Sequence, residues 1–442
     1  MSNLPLWRQL QAAASIVRAV RSGESATPAL ARVPAELRPA AQALAFHALR
    51  HLGRAEALRR QLARRTPPAE ADALLCTALA LAWREDGAPY EPFTLVDQAV
   101  EAVKRSPATA SQAGFLNACL RRFLREREAL VAATDADPVA RWNHPGWWIE
   151  RLRKDHPQHW QSILRAGSSP PPMTLRVNPR RGSRPALQQA WREAGIEAVE
   201  VGEQGLVLAR PRPVQEIPGF GEGLVSVQDA AAQLAAPLLL DALQPVPGQR
   251  LRLLDACAAP GGKTAHLLEL ADAELTALEV DPSRAARIDD TLQRLGLSAR
   301  VVAADAGTPA DWWDGRPFDG ILLDAPCTAS GIVRRHPDAR WLRRPGDVAR
   351  LAAQQDRLLH ALWPLLRPGG RLLYCTCSVF REEGEQRIRA FVAHNKAVVL
   401  RPAPGHLLPS SGGAAEGVRD NRYGDHDGFF YALLEKGPDP VA

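Results

Sequence analysis

The stretch Leu251–Thr264, Leu-Arg-Leu-Leu-Asp-Ala-Cys-Ala-Ala-Pro-Gly-Gly-Lys-Thr, leaves this chain few folds to choose from. Leu251–Leu254 is a short, mostly apolar run, the pattern of a strand buried in a parallel sheet. Asp255 ends that strand, and Pro260-Gly261-Gly262 force a tight turn. From Thr264 to Leu270 the chain reads as a helix that buries Leu267, Leu268 and Leu270. Strand, glycine-rich turn and helix in that order build a ligand crevice at the carboxyl end of the strand. Two familiar versions of such a turn fail here. The phosphate-binding pattern G-x-x-x-x-G-K-[ST] matches Gly262, Lys263 and Thr264 but needs a glycine where Cys257 stands. The dinucleotide pattern G-x-G-x-x-G is absent.

From about residue 250 onward strands and helices alternate, which predicts a doubly wound, parallel sheet. Its further strands are Leu275–Val280, Ala299–Ala304, Phe318–Leu323 and Arg371–Cys375, the last after a helix Leu351–Leu366 stopped by Pro368-Gly369-Gly370. A glycine-rich loop, Ser411–Asp427, leads to the apolar strand Gly428–Leu434. Polar residues sit at the carboxyl ends: Glu279 and Asp281, Asp305, Asp324-Ala325-Pro326-Cys327, and Cys377. An open α/β sheet places its ligand at those ends. An acidic residue about 20 residues past the turn suits two ribose hydroxyls. Loop length puts Glu279 there, with Asp281 as the alternative, and either residue can instead cap the helix that begins at Pro282.

The segments Asp255–Thr264, Asp324-Ala-Pro-Cys327 and Thr376-Cys377-Ser378 together resemble the RNA (cytosine-5) methyltransferases, and the resemblance extends over nearly the whole chain. It implies an α/β, Rossmann-like, S-adenosylmethionine-dependent methyltransferase domain: a mostly parallel sheet with a C-terminal antiparallel hairpin. The cofactor would lie against Cys257, Ala258, Ala259, Pro260, Gly261, Gly262 and Lys263. Glu279 would hold the ribose, where the family more often has Asp, and Asp305 would meet the adenine amino group. Asp324 would touch both the cofactor and the cytosine. Cys377 is then the nucleophile, and Cys327 helps resolve the covalent adduct.

Cytosine chemistry explains why such a crevice holds two thiols. C5 is too weak a nucleophile to take a methyl group unaided. A thiolate that adds to C6 pushes electron density onto C5, and elimination restores the ring after the C5 proton leaves. Lys263 adds positive charge that favours a thiolate. Cys375 departs from the commoner small residue and reads as core. A four-thiolate metal site from Cys257, Cys327, Cys375 and Cys377 fits poorly, because structural zinc prefers cysteines two to four residues apart on loops; no metal is expected. An inert RNA-binding factor that kept the fold would not need two thiols in one crevice.

Residues 1–138 are rich in Ala, Leu and Arg and read as wholly helical, with Leu44, Ala45, Ala48, Leu49 and Leu52 on one face. Cys76 and Cys119 lie on apolar helical faces and read as core. Val96–Lys104, followed by Phe115-Leu116-Asn117, resembles the RNA-binding fold of NusB-type antitermination factors. An all-α NusB-like domain ahead of a methyltransferase domain points, within the family, to small-subunit (16S) ribosomal RNA rather than transfer RNA or large-subunit RNA. The substrate would be free or partly assembled.

Residues 139–232 read as a small α+β linking subdomain, and 233–442 as the catalytic domain. The tryptophan-dense stretch Trp142–Trp160 serves domain packing or base stacking. A polyproline run leads into Thr174-Leu-Arg-Val-Asn178, the entry to that subdomain in the resembled family. Strand-forming runs at Glu197–Val201, Leu206–Leu208 and Gly223–Gln228 follow, with a helix at Pro185–Glu193. Asp229 is either a helix cap or a cofactor neighbour. After Cys327 come Arg334, Arg335, His336, Arg340, Trp341, Arg343 and Arg344, a set suited to phosphate contact and base stacking. The net charge of +6 supports a polyanionic partner. No signal peptide or transmembrane-length apolar run is apparent, so the expectation is a monomer in the cytoplasm.

Overall fold

The computed structural model describes residues 4–84, 89–409 and 425–438, so most of the glycine-rich loop at Ser411–Asp427 lies outside the described residues. The chain divides into two units: Met1–Pro170 with Val333–Pro345, and Pro171–Ile332 with Gly346–Ala442.

The first unit is helical among its described residues. The helix Arg38–Arg50 buries Ala41, Leu44, Ala45, Ala48 and Leu49, the face its periodicity marks. The helix Ala69–Ala82 is buried all round from Ala71 onward, because its sequence offers no polar stripe. Cys76 and Cys119 lie in this core, and burial pushes the Cys76 thiol up to about 12. The unit continues past residue 138 through the helices Pro138–Trp142, Gly146–Asp155 and Trp160–Ser168. The polar break at Asp135–Pro138 is a turn within the unit: Asp137 accepts the Val139 amide and caps the next helix.

The second unit opens with four strands, β1 (Met173–Val177), β2 (Ala198–Val201), β3 (Gly205–Leu208) and β4 (Val225–Val227), in the antiparallel order β2-β3-β1-β4. Seven more strands form the main sheet: β5 (Leu251–Ala256), β6 (Ala273–Glu279), β7 (Arg300–Ala303), β8 (Phe318–Asp324), β9 (Leu366–Thr376), β10 (Val398–Leu407) and β11 (Phe429–Lys436). Their order is β10-β11-β9-β8-β5-β6-β7. Strands β5 to β9 run parallel, and β11 lies antiparallel between β9 and β10.

The central parallel strands β5, β6, β8 and β9 are buried on both faces, as parallel sheets are. Leu253, Leu275, Leu322 and Leu373 enter one apolar cluster, and their neighbours Leu254, Leu278, Leu323 and Leu372 enter the other. The connection reverses between β5 and β8, which places the ligand crevice at their carboxyl ends.

One boundary differs from expectation. The helix spans Pro345–Leu362 and gives way to a short turn at Trp363–Leu365. Pro364 lacks the amide that would continue the helix. Strand β9 already begins at Leu366, and Pro368-Gly369-Gly370 form an irregularity within it where the register to β8 shifts. Among the described residues no helix is long and apolar enough to cross a membrane.

Candidate active site

The turn after β5 is shaped by two left-handed residues, Cys257 at φ 64° and Gly261 at φ 94°. Gly261 precedes the helix Gly262–Leu270, and a Cβ there would meet the Ile288 Cα at 3.1 Å. Only glycine suits both the conformation and the space. The Ala258 amide donates to the Leu278 carbonyl at 2.8 Å, and Thr264 Oγ1 donates to Asp255 at 2.6 Å.

Arg176 of β1 braces the turn from behind. Its guanidinium is buried, pairs with both oxygens of Glu269, and donates to the Gly262 carbonyl at 3.0 Å and to Gln228. This accounts for the Leu-Arg-Val element and for Gln228. Asp229 accepts the Ala231 amide at 2.9 Å and also the Asp427 amide, so it has a structural role on two segments.

The donor set around the turn is acidic. Burial pushes the Cys257 thiol up, and the surrounding carboxylates of Asp324, Glu279, Asp255 and Asp305 reinforce the effect. Burial raises the Asp255 carboxyl to about 7, with Asp324 adding to the shift while Thr264 and Lys263 oppose it. Its second oxygen is buried without a hydrogen-bond partner. Glu279 closes β6, is 2% exposed, and accepts from the Asp281 amide at 3.2 Å and from Arg284 at 3.3 Å. Asp281 is exposed and caps the helix Pro282–Leu295, accepting from the Ser283 and Arg284 amides. Asp281 is therefore the helix cap, and Glu279 stands at the carboxyl end of β6. Asp305 accepts from Arg357 through both oxygens, at 3.1 and 3.0 Å, and from the Gly307 amide at 2.8 Å. Burial opposes its charge, but Gly307 and Arg357 outweigh that and hold the carboxyl below its ordinary value.

At the ends of β8 and β9 the two thiols meet. Cys327 Sγ and Cys377 Sγ are 3.3 Å apart. The hydrogen bond with Cys377, then burial, push the Cys327 thiol well above the ordinary range. Asp324, at the end of β8, ties β9 to the turn: Oδ2 accepts from Lys263 Nζ at 2.7 Å and Oδ1 from the Cys375 thiol at 3.4 Å. Burial works against the Lys263 charge, yet the charge of Asp324 and its hydrogen bond overcome it and keep the ammonium protonated. Cys375 is fully buried, with its thiol pushed up by burial and by Asp324.

A residue that the sequence reading missed holds the two cysteine loops together. Glu383 is fully buried. It accepts from the Thr328 amide at 2.8 Å, from Thr328 Oγ1 at 2.5 Å and from Ser378 Oγ at 2.6 Å. Thr328 follows Cys327 and Ser378 follows Cys377, so one carboxylate sets both thiol-bearing segments. Ser330 and Ser378 hydroxyls, 2.8 Å apart, add a second tie. The signal was thin: Arg381-Glu-Glu-Gly-Glu385 reads as an exposed helix start.

The basic segment after Cys327 requires a correction. Arg334 and Arg340, expected to contact RNA, are 1% and 0% exposed and belong to the first unit. Arg340 donates to the carbonyls of Asn143 (3.2 Å), Val333 (3.1 Å) and Gly167 and to Ser168 Oγ, and burial lowers its guanidinium to about 9. The Arg334 carbonyl accepts two bonds from Arg50. Trp341 donates from its indole to the Leu49 carbonyl at 2.8 Å and packs on the helical core. A guanidinium has five donors and no acceptor, which suits it to gathering stray carbonyls at a buried junction. Arg335 and Arg343 are half-buried, and His336 and Arg344 are exposed.

A doubly wound sheet with a glycine turn, acidic strand ends and an antiparallel terminal hairpin defines the protein as a methyltransferase of Rossmann-like fold behind a helical NusB-like domain. Comparison with known proteins agrees: residues 240–435 match the family model described as 16S rRNA methyltransferase RsmB/F, 144–215 its ferredoxin-like domain, and 9–125 the NusB family. A relative named ribosomal RNA small subunit methyltransferase B, from Pseudomonas putida, is 41% identical over 453 residues, covering 96% of this chain and 98% of the relative. The protein of that name from Vibrio cholerae is 44% identical over 328 residues, covering 73% of this chain and 72% of its own length. Among solved structures, PH0851 shares 26% identity over 97% of this chain and 99% of its own, with a TM-score of 0.75. A methyltransferase homolog from Pyrococcus horikoshii shares 29% identity over 68% of this chain and 98% of its own, with a TM-score of 0.54. The chain belongs to the ribosomal RNA small subunit methyltransferase B family.

Proposed function

We propose that the protein methylates C5 of a cytosine in 16S ribosomal RNA, using S-adenosylmethionine and a covalent adduct between Cys377 and C6. The observation that carries this reading is the pair of thiols 3.3 Å apart at the ends of adjacent strands, beside an Asp324 that also holds Lys263 of the glycine turn. When bound, S-adenosylmethionine supplies an electrophilic methyl on a sulfonium centre. The residues of the turn fit that group: a left-handed, side-chain-free approach at Gly261, an unpartnered Asp255 oxygen, and carboxylates that offset a positive charge. Cys257–Lys263 would hold it, with Glu279 on the ribose hydroxyls and Asp305 at the adenine amino group.

The Cys377 thiolate attacks C6, the S–C6 bond forms, and the electron pair moves to C5 while the Asp324 carboxylate accepts from the 4-amino N–H beside N3 of the base. C5 then takes the methyl group. Cys327, as thiolate, accepts the C5 proton, and the S–C6 bond breaks with its electrons returning to Cys377. Once Cys377 is bonded to C6, the hydrogen bond that raises the Cys327 thiol is lost, and Cys327 releases its own proton to solvent before it takes the C5 proton.

The substrate would be free or partly assembled small-subunit RNA, met by a monomer in the cytoplasm. The test is to map 5-methylcytosine in 16S ribosomal RNA from cells with and without the protein, and after treatment of unmodified RNA with purified protein and S-adenosylmethionine. One cytosine should gain the mark only where the protein is present; its absence in both comparisons would overturn the reading.

A further inference from the structure

The tryptophan-dense stretch of the first unit carries more than packing. Trp142 and Trp160 meet edge to face with centroids 5.0 Å apart. Arg153 lies over the Trp160 ring at 4.3 Å, and Arg141 and Arg165 lie over Trp142 at 5.4 and 5.6 Å. All three arginines, and Lys154 beside Arg153, are exposed. Cation–π contact holds at such distances.

Several exposed arginines elsewhere in this unit pair with carboxylates: Arg18 with Glu70, Arg32 with Glu24, Arg105 with Glu101 and Arg122 with Glu126. Among the described residues none of Arg141, Arg153, Lys154 and Arg165 does so; the one polar side-chain contact of the group is Arg165 to Gln161 at 3.4 Å. Glu150, one turn before Arg153 and Lys154 on the same helix, is exposed and paired with neither.

We propose that this Arg–Trp face is a docking surface for a single-stranded segment of the RNA substrate; the proposal rests on the reading of the protein as an RNA methyltransferase. A guanidinium held on an indole loses less freedom when it binds than a free one. Its flat outer face accepts a stacked base while its edge N–H groups donate to phosphate. Four cations against one carboxylate suit a polyanion, and the planar pairing suits a ligand that offers both phosphates and rings.

The test uses the full chain with Arg153→Ala and Arg165→Ala combined, and separately with both changed to Lys. Binding of a fluorescent single-stranded 16S RNA fragment is followed by anisotropy from 0.05 to 0.5 M salt, with S-adenosylmethionine affinity and thermal stability as fold controls. Each lost phosphate contact flattens the log–log salt slope by about 0.7, so the double Ala variant should be about 1.4 shallower and roughly 25-fold weaker at 0.1 M salt. KM for RNA should rise with kcat preserved. The Lys pair should keep the slope and still bind less tightly, because the stacking geometry is lost. An unchanged slope and affinity in the Ala variant, beside a wild type that binds and methylates RNA, would overturn the docking surface alone. A shallower slope for the same variant against an acidic protein and not against RNA would assign the face to a protein and also overturn it. A wild type that neither binds nor methylates RNA would overturn the enzyme reading and this proposal with it.

Discussion

Thr328 donates both its amide and its hydroxyl to the carboxylate of Glu383, at 2.8 and 2.5 Å. The same carboxylate takes the Ser378 hydroxyl, so the residues that directly follow Cys327 and Cys377 share one buried anchor. The distance between the thiols is therefore set by a group that does not itself react. Charge-assisted bonds of this kind are about twice as strong as neutral ones.

Glu383→Gln keeps the shape but replaces one acceptor oxygen by a donor, which meets either the Thr328 amide or the two hydroxyls that already donate. A small misplacement of reacting groups costs on the order of 10²-fold in rate. The expected outcome is a kcat lowered by about that factor, with KM for RNA and cofactor affinity within about twofold of wild type. The rate of covalent complex formation in rapid-quench gels should fall in parallel, and Glu383→Asp should recover part of it. A purely structural role would lower stability and leave kcat of the folded fraction intact.

The division of roles between Glu279 and Asp281 makes a second expectation. Bonds to a charged group contribute about 1.5–3 kcal/mol, so Glu279→Ala should weaken S-adenosylmethionine by about tenfold or more in calorimetry. Asp281→Ala should leave that affinity alone and lower the thermal midpoint through loss of the helix cap. Reversed results would move the ribose to Asp281.

Much of this site was legible in advance because its signals are local. A glycine turn, a strand that ends in Asp-Ala-Pro-Cys and another in Thr-Cys-Ser each announce themselves over a few residues. The buried alternation of Leu253 and Leu254 across two faces follows from the same short runs. What stayed hidden depends on distant partners. Glu383 is polar in a polar stretch, and only the folded chain brings Thr328 and Ser378 to it. Arg334 and Arg340 sit among five arginines and read as phosphate contacts, yet the carbonyls that Arg340 serves belong to residues 143 and 167, far away in sequence. Asp338 within the same segment was a hint, since it is buried and accepts the Ala26 amide at 2.9 Å.

Asp255 couples the turn to pH. Its carboxyl stands near 7 in the folded protein, against about 3.9 in an unfolded chain. Between those values the unfolded chain has released a proton that the folded one keeps. The stabilisation is complete below about pH 4 and is lost as pH rises toward 7, amounting to about 4 kcal/mol across the window. Asp255→Asn should flatten the pH dependence of urea midpoints between pH 4 and 7. An equal slope in variant and wild type would place the proton elsewhere.

The two cysteines should fail in different ways. Cys377→Ala removes the thiolate that raises the nucleophilicity of C5, so methyl transfer should stop and no covalent RNA complex should form, while cofactor binding and folding persist. Cys327→Ala leaves the attack and the methyl transfer in place but removes the sulfur 3.3 Å away that is set to take the C5 proton. The methylated RNA should then stay bound to Cys377, visible as a slow-migrating protein–RNA band on a denaturing gel for this variant alone. The band with Cys377→Ala in place of Cys327→Ala would exchange the two roles. Full turnover in both variants would remove covalent catalysis by either thiol from the mechanism; the neighbouring Cys375 is buried and held protonated.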